Sequence, residues 1–340
     1  MNERISTSLE KSSRTKRNLT IDSLRAIAAL SVFAHHIGGG ICGEMGSLGT
    51  AGVILFFLIS GYCIVLSLKK TGTNPVRNFL IRRAFRLYPV YWAAVFLAAY
   101  ATPETVSLHQ LLGNLTMFQP ALQIPHVNGV FWSLFLELIF YGLICCLLAK
   151  GLANNSRVYG GLFFILIMGA FSIVIIRTAT GLPIPFGHLM FLSVFVLGCW
   201  AGIHSLANKK FNFYLPLSGY LVIIYIIAQL ICKSGPQVNF THNFFNYVWP
   251  LFIFFIAIDR KWFAWRGLAY IGKISFCIYL FHNPLLWLIE PWISSPFALF
   301  GVILIMTLIL SSLAHHYIEM PFIRLGKRFL DKFGYVTSFA

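Results

Sequence analysis

The stretch Asp22–His36, DSLRAIAALSVFAHH, decides the fold, because it is an apolar segment of helical length with polar groups near both ends. Arg25 and His36 are eleven residues apart. At 3.6 residues per turn this spacing places both side chains on one face of a helix, about 16 Å apart along its axis. A cation and an imidazole on one stripe of an apolar helix are costly in lipid unless they face polar groups, so the segment predicts a functional membrane helix.

The composition indicates an α-helical membrane protein. Of the 340 residues, 58% are hydrophobic and only 11% are charged, whereas a soluble domain carries about 25% charged residues. The apolar residues also fall into runs long enough to span a membrane. In a soluble protein the net charge of +16 would suggest a nucleic-acid partner. In a membrane protein basic residues collect in cytoplasmic loops, so we expect no nucleic acid among the partners.

The pattern of apolar runs predicts one all-α polytopic domain, residues 19–323, between basic cytoplasmic tails at 1–18 and 324–340. Ten transmembrane helices are predicted, at 20–38, 48–68, 87–102, 131–149, 159–177, 188–205, 213–232, 244–259, 267–290 and 296–317. With these spans, all but two of the 26 Lys and Arg residues, Arg177 and Lys233, fall on the side of the N-terminus. Both termini are therefore predicted to be cytoplasmic.

An arginine cluster follows the second predicted span, in the segment RNFLIRRAFRLYPVYW. It contains Arg77, Arg82, Arg83 and Arg86. Arg82 and Arg86 are four residues apart, so they would project together from a helix. The planar fork of arginine suits phosphate better than lysine does. The cluster predicts either an anchor on anionic lipid or a binding site for a phosphate-bearing cofactor that arrives from the cytoplasm.

The fourth predicted span begins NGVFWSLFLELIFYG and contains Glu137, the only acidic residue well inside a predicted span. Ser133, Glu137 and Tyr141 follow at intervals of four and share one helix face, and Trp132 marks the outer interface. A carboxylate inside the membrane is a functional candidate. The predicted topology places Glu137 and His36 in the outer half of the membrane, where they could pair. The alternative is a structural hydrogen bond from Glu137 to another helix.

Two further histidine segments lie near the C-terminus. His282 precedes the helix-kinking Pro284 by two residues, so it is expected either to bond backbone groups freed by the kink or to belong to the site. His315, His316 and Glu319 are expected to cap and anchor the last span. The sequence has no zinc-protease, P-loop or serine-hydrolase motif, and no metal site is predicted.

Taken in order, these segments resemble the acyltransferase-3 family of integral membrane acyltransferases, many of which modify bacterial surface sugars. The motifs that carry the resemblance are Arg25 with His36, Phe57–Tyr62, Arg82–Tyr91, Trp132–Tyr141, Tyr279–Pro284 and Ile318–Pro321. The resemblance implies that an acyl group, most often acetyl, moves from cytoplasmic acyl-CoA to a hydroxyl on the far side of the membrane. The acceptor would be a surface polysaccharide or a lipid-linked glycan such as a lipopolysaccharide precursor, and the protein would lie in the bacterial inner membrane.

Roles for the candidate residues follow from this interpretation. His36 would be the general base, and Glu137 would orient its imidazole or hold the acceptor. The predicted contacts of the acetyl-CoA donor are Arg25, Arg82, Arg83 and Arg86, and those of the acceptor are Trp132, Ser133, Tyr141 and His282. Direct transfer and a covalent acyl-histidine route both fit the sequence. The alternative from another class is a carrier that moves a small metabolite or acyl group without chemistry.

Overall fold

The computed structural model describes residues 18–38, 48–68, 74–102, 104–182, 184–207, 214–233, 240–260 and 263–332. No strand occurs in these ranges, which confirms the predicted all-α class. The α-helices are α1 (Leu19–Ile37), α2 (Leu48–Leu68), α3 (Pro75–Ala101), α4 (Leu108–Leu115), α5 (Trp132–Ala149), α6 (Ser156–Thr180), α7 (Gly187–Leu206), α8 (Tyr214–Lys233), α9 (Phe240–Arg260), α10 (Arg266–Lys273), α11 (Ser275–Ile289), α12 (Pro296–Ala314) and α13 (Met320–Lys332). Short 3₁₀ turns cover Gly129–Phe131 and Glu290–Trp292, and a π-helical segment, His315–Glu319, joins α12 to α13.

Among the described helices, five segments are long and apolar enough to cross a membrane. They are Leu48–Leu68, Gly129–Ala149, Ser156–Thr180, Gly187–Leu206 and Pro296–Lys332. The chain is therefore a helical membrane protein, as its composition predicts.

The third helix differs from its predicted span, because α3 begins at Pro75 rather than at residue 87. Proline is favoured in the first turn of a helix, where its missing N–H is not needed. The arginine cluster consequently lies on a helix and not in a loop. Pro89 lies inside α3 without ending it, as is common in membrane helices, where neighbouring groups satisfy the freed carbonyl.

The ninth predicted span, 267–290, is in fact two helices, α10 and α11, which meet at Ile274. Gly272, near the end of α10, packs so closely on α1 that a side-chain carbon there would overlap the carbonyl of Asp22. The break therefore holds the end of α10 against the first turn of α1.

The tenth predicted span, 296–317, continues through the π-helical segment into α13. Part of the predicted C-terminal tail is thus a helix that packs on α3, where Gly326 contacts Phe85. Of the two predicted tails, residues 1–17 and 333–340 lie outside the described residues.

Glycines allow α2 to pack closely between α1 and α7. A side-chain carbon at Gly61 would overlap the carbonyl of Phe195, and one at Gly198 would overlap that of Leu58. On the other side of α2, Gly49 lies against the ring of His35. Small residues of this kind let membrane helices approach each other, so α2 forms the fixed centre of the helix packing.

Candidate functional site

A cavity lies between α1, α2, α3, α5, α10, α11 and the π-helical segment, and encloses about 830 Å³ of empty space including its open mouth. Its charged lining consists of the cations Arg25, Arg83, Arg86 and Lys273 and the carboxylates of Glu137 and Glu319. Four cations against two carboxylates give the cavity a positive potential, which attracts anionic ligands. We call it the cationic cavity.

Glu137 lies in this cavity, and its Oε1 accepts two hydrogen bonds. The hydroxyl of Tyr141 donates at 2.5 Å, and Oγ of Ser60 donates at 3.1 Å. The first partner comes from the helix face predicted by sequence, and the second comes from α2. Glu137 thus forms an interhelical hydrogen bond, which was the alternative to a pairing with His36.

Two arginines of α3 line the cationic cavity, Arg83 and Arg86, which are three residues apart. The guanidinium of Arg83 lies 5.5 Å from the centre of the Tyr141 ring, and its Nη2 donates to Oγ of Ser67 at 3.1 Å. Arg82 is outside the lining and interacts instead with Asp331 of α13. The projecting pair is therefore Arg83 with Arg86 rather than Arg82 with Arg86.

Glu319 and Lys273 also line the cavity, and neither is among the predicted site residues. The buried carboxylate of Glu319 lies 2.7 Å from Nδ1 of His315 and 3.8 Å from Sγ of Cys277. The closing Ile318–Pro321 motif of the resemblance could have identified Glu319. In the sequence Lys273 resembles any basic residue in the first turns of a span. Within the described part of the chain, no group of three or more His, Cys, Asp or Glu residues could hold a metal ion.

Two predicted residues, His36 and His282, form a second feature that we call the histidine pair. Their ring centroids are 5.2 Å apart, and His35 is 4.9 Å from His36. Neither member of the pair lines the cationic cavity. His36 is exposed, whereas His282 is completely buried.

A single tyrosine connects the two features, because Tyr279 lines the cationic cavity and has its ring 6.2 Å from that of His282. Its hydroxyl donates to the carbonyl of Val130 at 2.8 Å and is hydrogen-bonded to Oγ of Ser133 at 2.7 Å. Ser133 therefore lines the cavity beside Tyr279. Trp132, the remaining predicted residue, is outside the lining and packs on Phe191, with ring centroids 5.1 Å apart.

Asn128 supplies the hydrogen bond that the helix loses at the kink in α11. Pro284 lacks an N–H, so the carbonyl of Leu280 loses its helical partner, and Nδ2 of Asn128 donates to that carbonyl at 3.4 Å. Asn283 in turn donates to Oδ1 of Asn128 at 3.1 Å. The freed carbonyl of the kink is thus bonded by Asn128, and His282 is not needed for it.

The long segment between α3 and α5 contains α4 and is tied to α3. The hydroxyl of Tyr91 donates to the carbonyl of Asn114 at 2.6 Å, and Oδ1 of Asn114 accepts from the amide of Val127 at 3.1 Å. Nδ1 of His126 lies 3.1 Å from Nε2 of Gln119. Burial lowers the pKa of His126 from its ordinary value of 6.5.

The chain matches the sequence profile of the acyltransferase-3 family, described as an acyltransferase domain, over residues 18–316. The chain belongs to the acyltransferase-3 family. Membership confirms the resemblance drawn from the sequence motifs, and it places the cationic cavity and the histidine pair in an acyltransferase domain.

Similar bacterial proteins carry related names. This acyltransferase-3 chain is 26% identical to a Bacillus subtilis protein with the provisional name peptidoglycan O-acetyltransferase YrhL, over 88% of the chain and 54% of that protein. It is 24% identical to the O-acetyltransferase OatA of Staphylococcus aureus strain NCTC 8325, over 90% of the chain and 57% of that protein. The chain thus spans little more than half the length of these relatives. No solved structure shows a significant match.

Proposed function

We propose that this chain is a membrane O-acyltransferase, which moves an acetyl group from cytoplasmic acetyl-CoA to a hydroxyl of a bacterial surface glycan. One observation carries the proposal: a cationic cavity and a histidine pair lie on the two sides of Tyr279 in an acyltransferase-3 domain. The names of the relatives support acetyl as the group and a cell-surface glycan as its destination.

The donor would bind through its phosphates in the cationic cavity. Arg83 and Arg86 offer guanidinium forks from one face of α3, and Arg25 and Lys273 add charge from α1 and α10. Charge-assisted bonds from arginine to phosphate are about twice as strong as neutral hydrogen bonds. The net positive lining therefore favours a polyanionic donor over a neutral metabolite.

The proposed topology has ten spans in the bacterial inner membrane, with both termini in the cytoplasm. It rests on the one-sided distribution of Lys and Arg. In this orientation Arg25 is at the inner end of α1 and His36 at its outer end. Their separation of about 16 Å along the helix is half of the hydrocarbon core of about 30 Å. An extended pantetheine arm could cover that distance, so the thioester would reach His36 while the phosphates stay inside.

The proposed chemical step is direct transfer. His36 takes the proton of the acceptor hydroxyl, and the oxygen attacks the carbonyl carbon of the thioester. The carbon–sulfur bond breaks, the acetyl ester forms, and the proton passes from His36 to the leaving thiolate, which gives free CoA. Ser133 is proposed to contact the acceptor where it meets the thioester, because it lines the cavity and bonds Tyr279. Tyr141, the other predicted acceptor contact in the lining, lies against Arg83 and would therefore be closer to the donor.

The test uses the full chain, purified and reconstituted in lipid vesicles, with acetyl-CoA labelled in the acetyl group and glycan fragments as acceptor. The proposal predicts label in an ester on the glycan and stoichiometric release of free CoA. The carrier alternative predicts instead that labelled solute crosses the vesicle membrane without any ester. A chain that transfers label only to water, or not at all, would refute the proposed function.

A further inference from the structure

His282 is a buried imidazole with an unused nitrogen. No part of its surface is exposed, and its Nδ1 lies 3.1 Å from the carbonyl oxygen of Ile278. Its Nε2 has no hydrogen-bond partner among the described residues. A buried polar atom without a partner destabilises the fold, so its presence calls for an explanation.

The bond to Ile278 determines which nitrogen of His282 carries the proton. A carbonyl oxygen only accepts hydrogen bonds, so Nδ1 must be the donor. In a neutral imidazole the other nitrogen is then an acceptor with a free lone pair. Nε2 of His282 is therefore an acceptor on a ring of fixed orientation, and it needs an N–H or O–H donor.

Among the aromatic rings next to His282, one can donate a hydrogen bond to this nitrogen. Its ring neighbours are His36, Phe33 and Tyr279. Phe33 has no donor, and the hydroxyl of Tyr279 is already bonded to Val130 and Ser133. His36 is therefore the neighbouring ring with an N–H to give.

We propose that Nε2 of His282, which has no partner in the described chain, accepts a hydrogen bond from the neighbouring His36 when that ring turns toward it, and so positions the imidazole for catalysis. The inference rests on the proposed function, since it names the residue that orients the general base. Glu137 would not serve this purpose, because its contacts are Ser60 and Tyr141 in the cavity. A nucleophile or base held by a third group is the arrangement that acyl-transfer chemistry needs.

The protons balance with His282 neutral throughout. One nitrogen of His36 takes the proton of the acceptor hydroxyl, while the N–H on its other nitrogen stays bonded to His282. When the thiolate leaves, His36 returns the proton to sulfur and regains its starting form. His282 gains and loses no proton, so it is a positioning residue and not a second base.

Two substitutions separate this role from a structural one. In His282→Gln an amide oxygen can take the place of Nε2, while in His282→Asn the shorter amide can keep the bond to the Ile278 carbonyl but cannot reach His36. We expect His282→Gln to retain most of kcat and His282→Asn to lose about 100-fold in kcat, with the KM for acetyl-CoA and for the glycan unchanged in both.

Other outcomes overturn the inference. An active His282→Asn beside an inactive His282→Gln would assign His282 to the bond with Ile278 alone. A higher KM for the glycan with unchanged kcat would assign Nε2 to the acceptor itself. Thermal unfolding of each variant in detergent shows whether it is folded.

A second measurement keeps this inference apart from the proposed function. In protein labelled with ¹⁵N-histidine, the ring nitrogens of His36 should shift in His282→Asn and hold their wild-type positions in His282→Gln. Unchanged His36 signals in His282→Asn would refute the contact. An absence of acetyl transfer by the wild-type chain would refute the proposed function and leave the spectrum to decide the contact.

Discussion

The cationic cavity and the histidine pair are built in opposite ways. The cavity draws charged side chains from several helices, four cations and two carboxylates. The histidine pair consists of two imidazole rings, and Nε2 of His282 is buried without a partner in the described chain. A site that holds a polyanion can share its task among many groups, whereas proton transfer depends on one atom.

This difference predicts how each region responds to mutation. Binding energy spread over four cations should fall in steps as each is removed. Catalysis that depends on one imidazole should collapse at once and leave binding intact. The following predictions are arranged from the largest expected effect to the smallest.

Replacing His36 should have the largest effect. We expect His36→Ala to lower kcat by about 10²- to 10⁴-fold, which is the usual contribution of a general base, with little change in the KM for acetyl-CoA. The matched control is His35→Ala, since that ring packs on Gly49 and not on His282. If purified His36→Ala transferred acetyl at the normal rate, the assignment of the base would be wrong.

Removing one arginine from the cationic cavity should weaken the binding of acetyl-CoA alone. A hydrogen bond to a charged group contributes about 1.5–3 kcal/mol, so Arg86→Gln should raise the KM for acetyl-CoA about 10- to 100-fold. Arg82→Gln on the same helix should change that KM by less than about threefold, because Arg82 does not line the cavity. Steady-state kinetics with varied acetyl-CoA compare the two variants. Equal effects would show that any positive charge near the membrane helps to bind the donor and that the cationic cavity is not a specific site for it.

Tyr279, which lies between the two regions, should tolerate little loss of hydrogen bonding. Tyr279→Phe removes the donor to Val130 and the bond to Ser133, both buried, and should lower the free energy of unfolding by about 1–3 kcal/mol. Tyr270→Phe removes one exposed bond to Ser312 and should cost less than about 0.5 kcal/mol. Thermal unfolding in detergent measures both, and a similar midpoint for the two variants would argue against a rigid boundary at Tyr279.

The smallest effect concerns the segment between α3 and α5, which contains His126. Burial lowers the pKa of His126, so the unfolded segment binds more protons than the folded one as the pH falls below 6.5. The stabilisation from neutral His126 is therefore complete above pH 6.5 and is lost as the pH falls through its lower folded value. The protection factors of residues 104–128 against hydrogen exchange should fall in this window, and the fall should vanish in His126→Gln. An identical fall in that variant would show that another group is responsible.

The sequence predicted the parts of the fold that depend on one helix at a time. The predicted first and second spans agree with α1 and α2 to within one residue, since apolar length and flanking polar residues define both ends. Within one helix, the spacing of four also predicted the contact of Glu137 with Tyr141. The chemistry of phosphate binding and the family motifs together predicted donor contacts at Arg25, Arg83 and Arg86, and all three line the cavity.

Contacts between helices could not be predicted in this way. Ser60 reaches Glu137 because glycines set the distance of α2 from its neighbours. The position of one helix along another cannot be predicted from the residue spacing within either helix. Lys273 was missed because a basic residue at a span end has the same pattern whether it faces lipid headgroups or a cavity. The break at Ile274 was not predicted, because a single lysine, Lys273, in a largely apolar stretch does not by itself indicate the end of a helix.

Asn128 joins two helices that carry different halves of the machinery. One amide caps the turn that leads into α5, where Ser133 and Glu137 lie, and also bonds the kink of α11 that follows His282. Pro284 depends on this linkage, because the carbonyl that it releases is bonded by the amide of Asn128. Over evolution a lineage that loses Asn128 should therefore lose Pro284 as well.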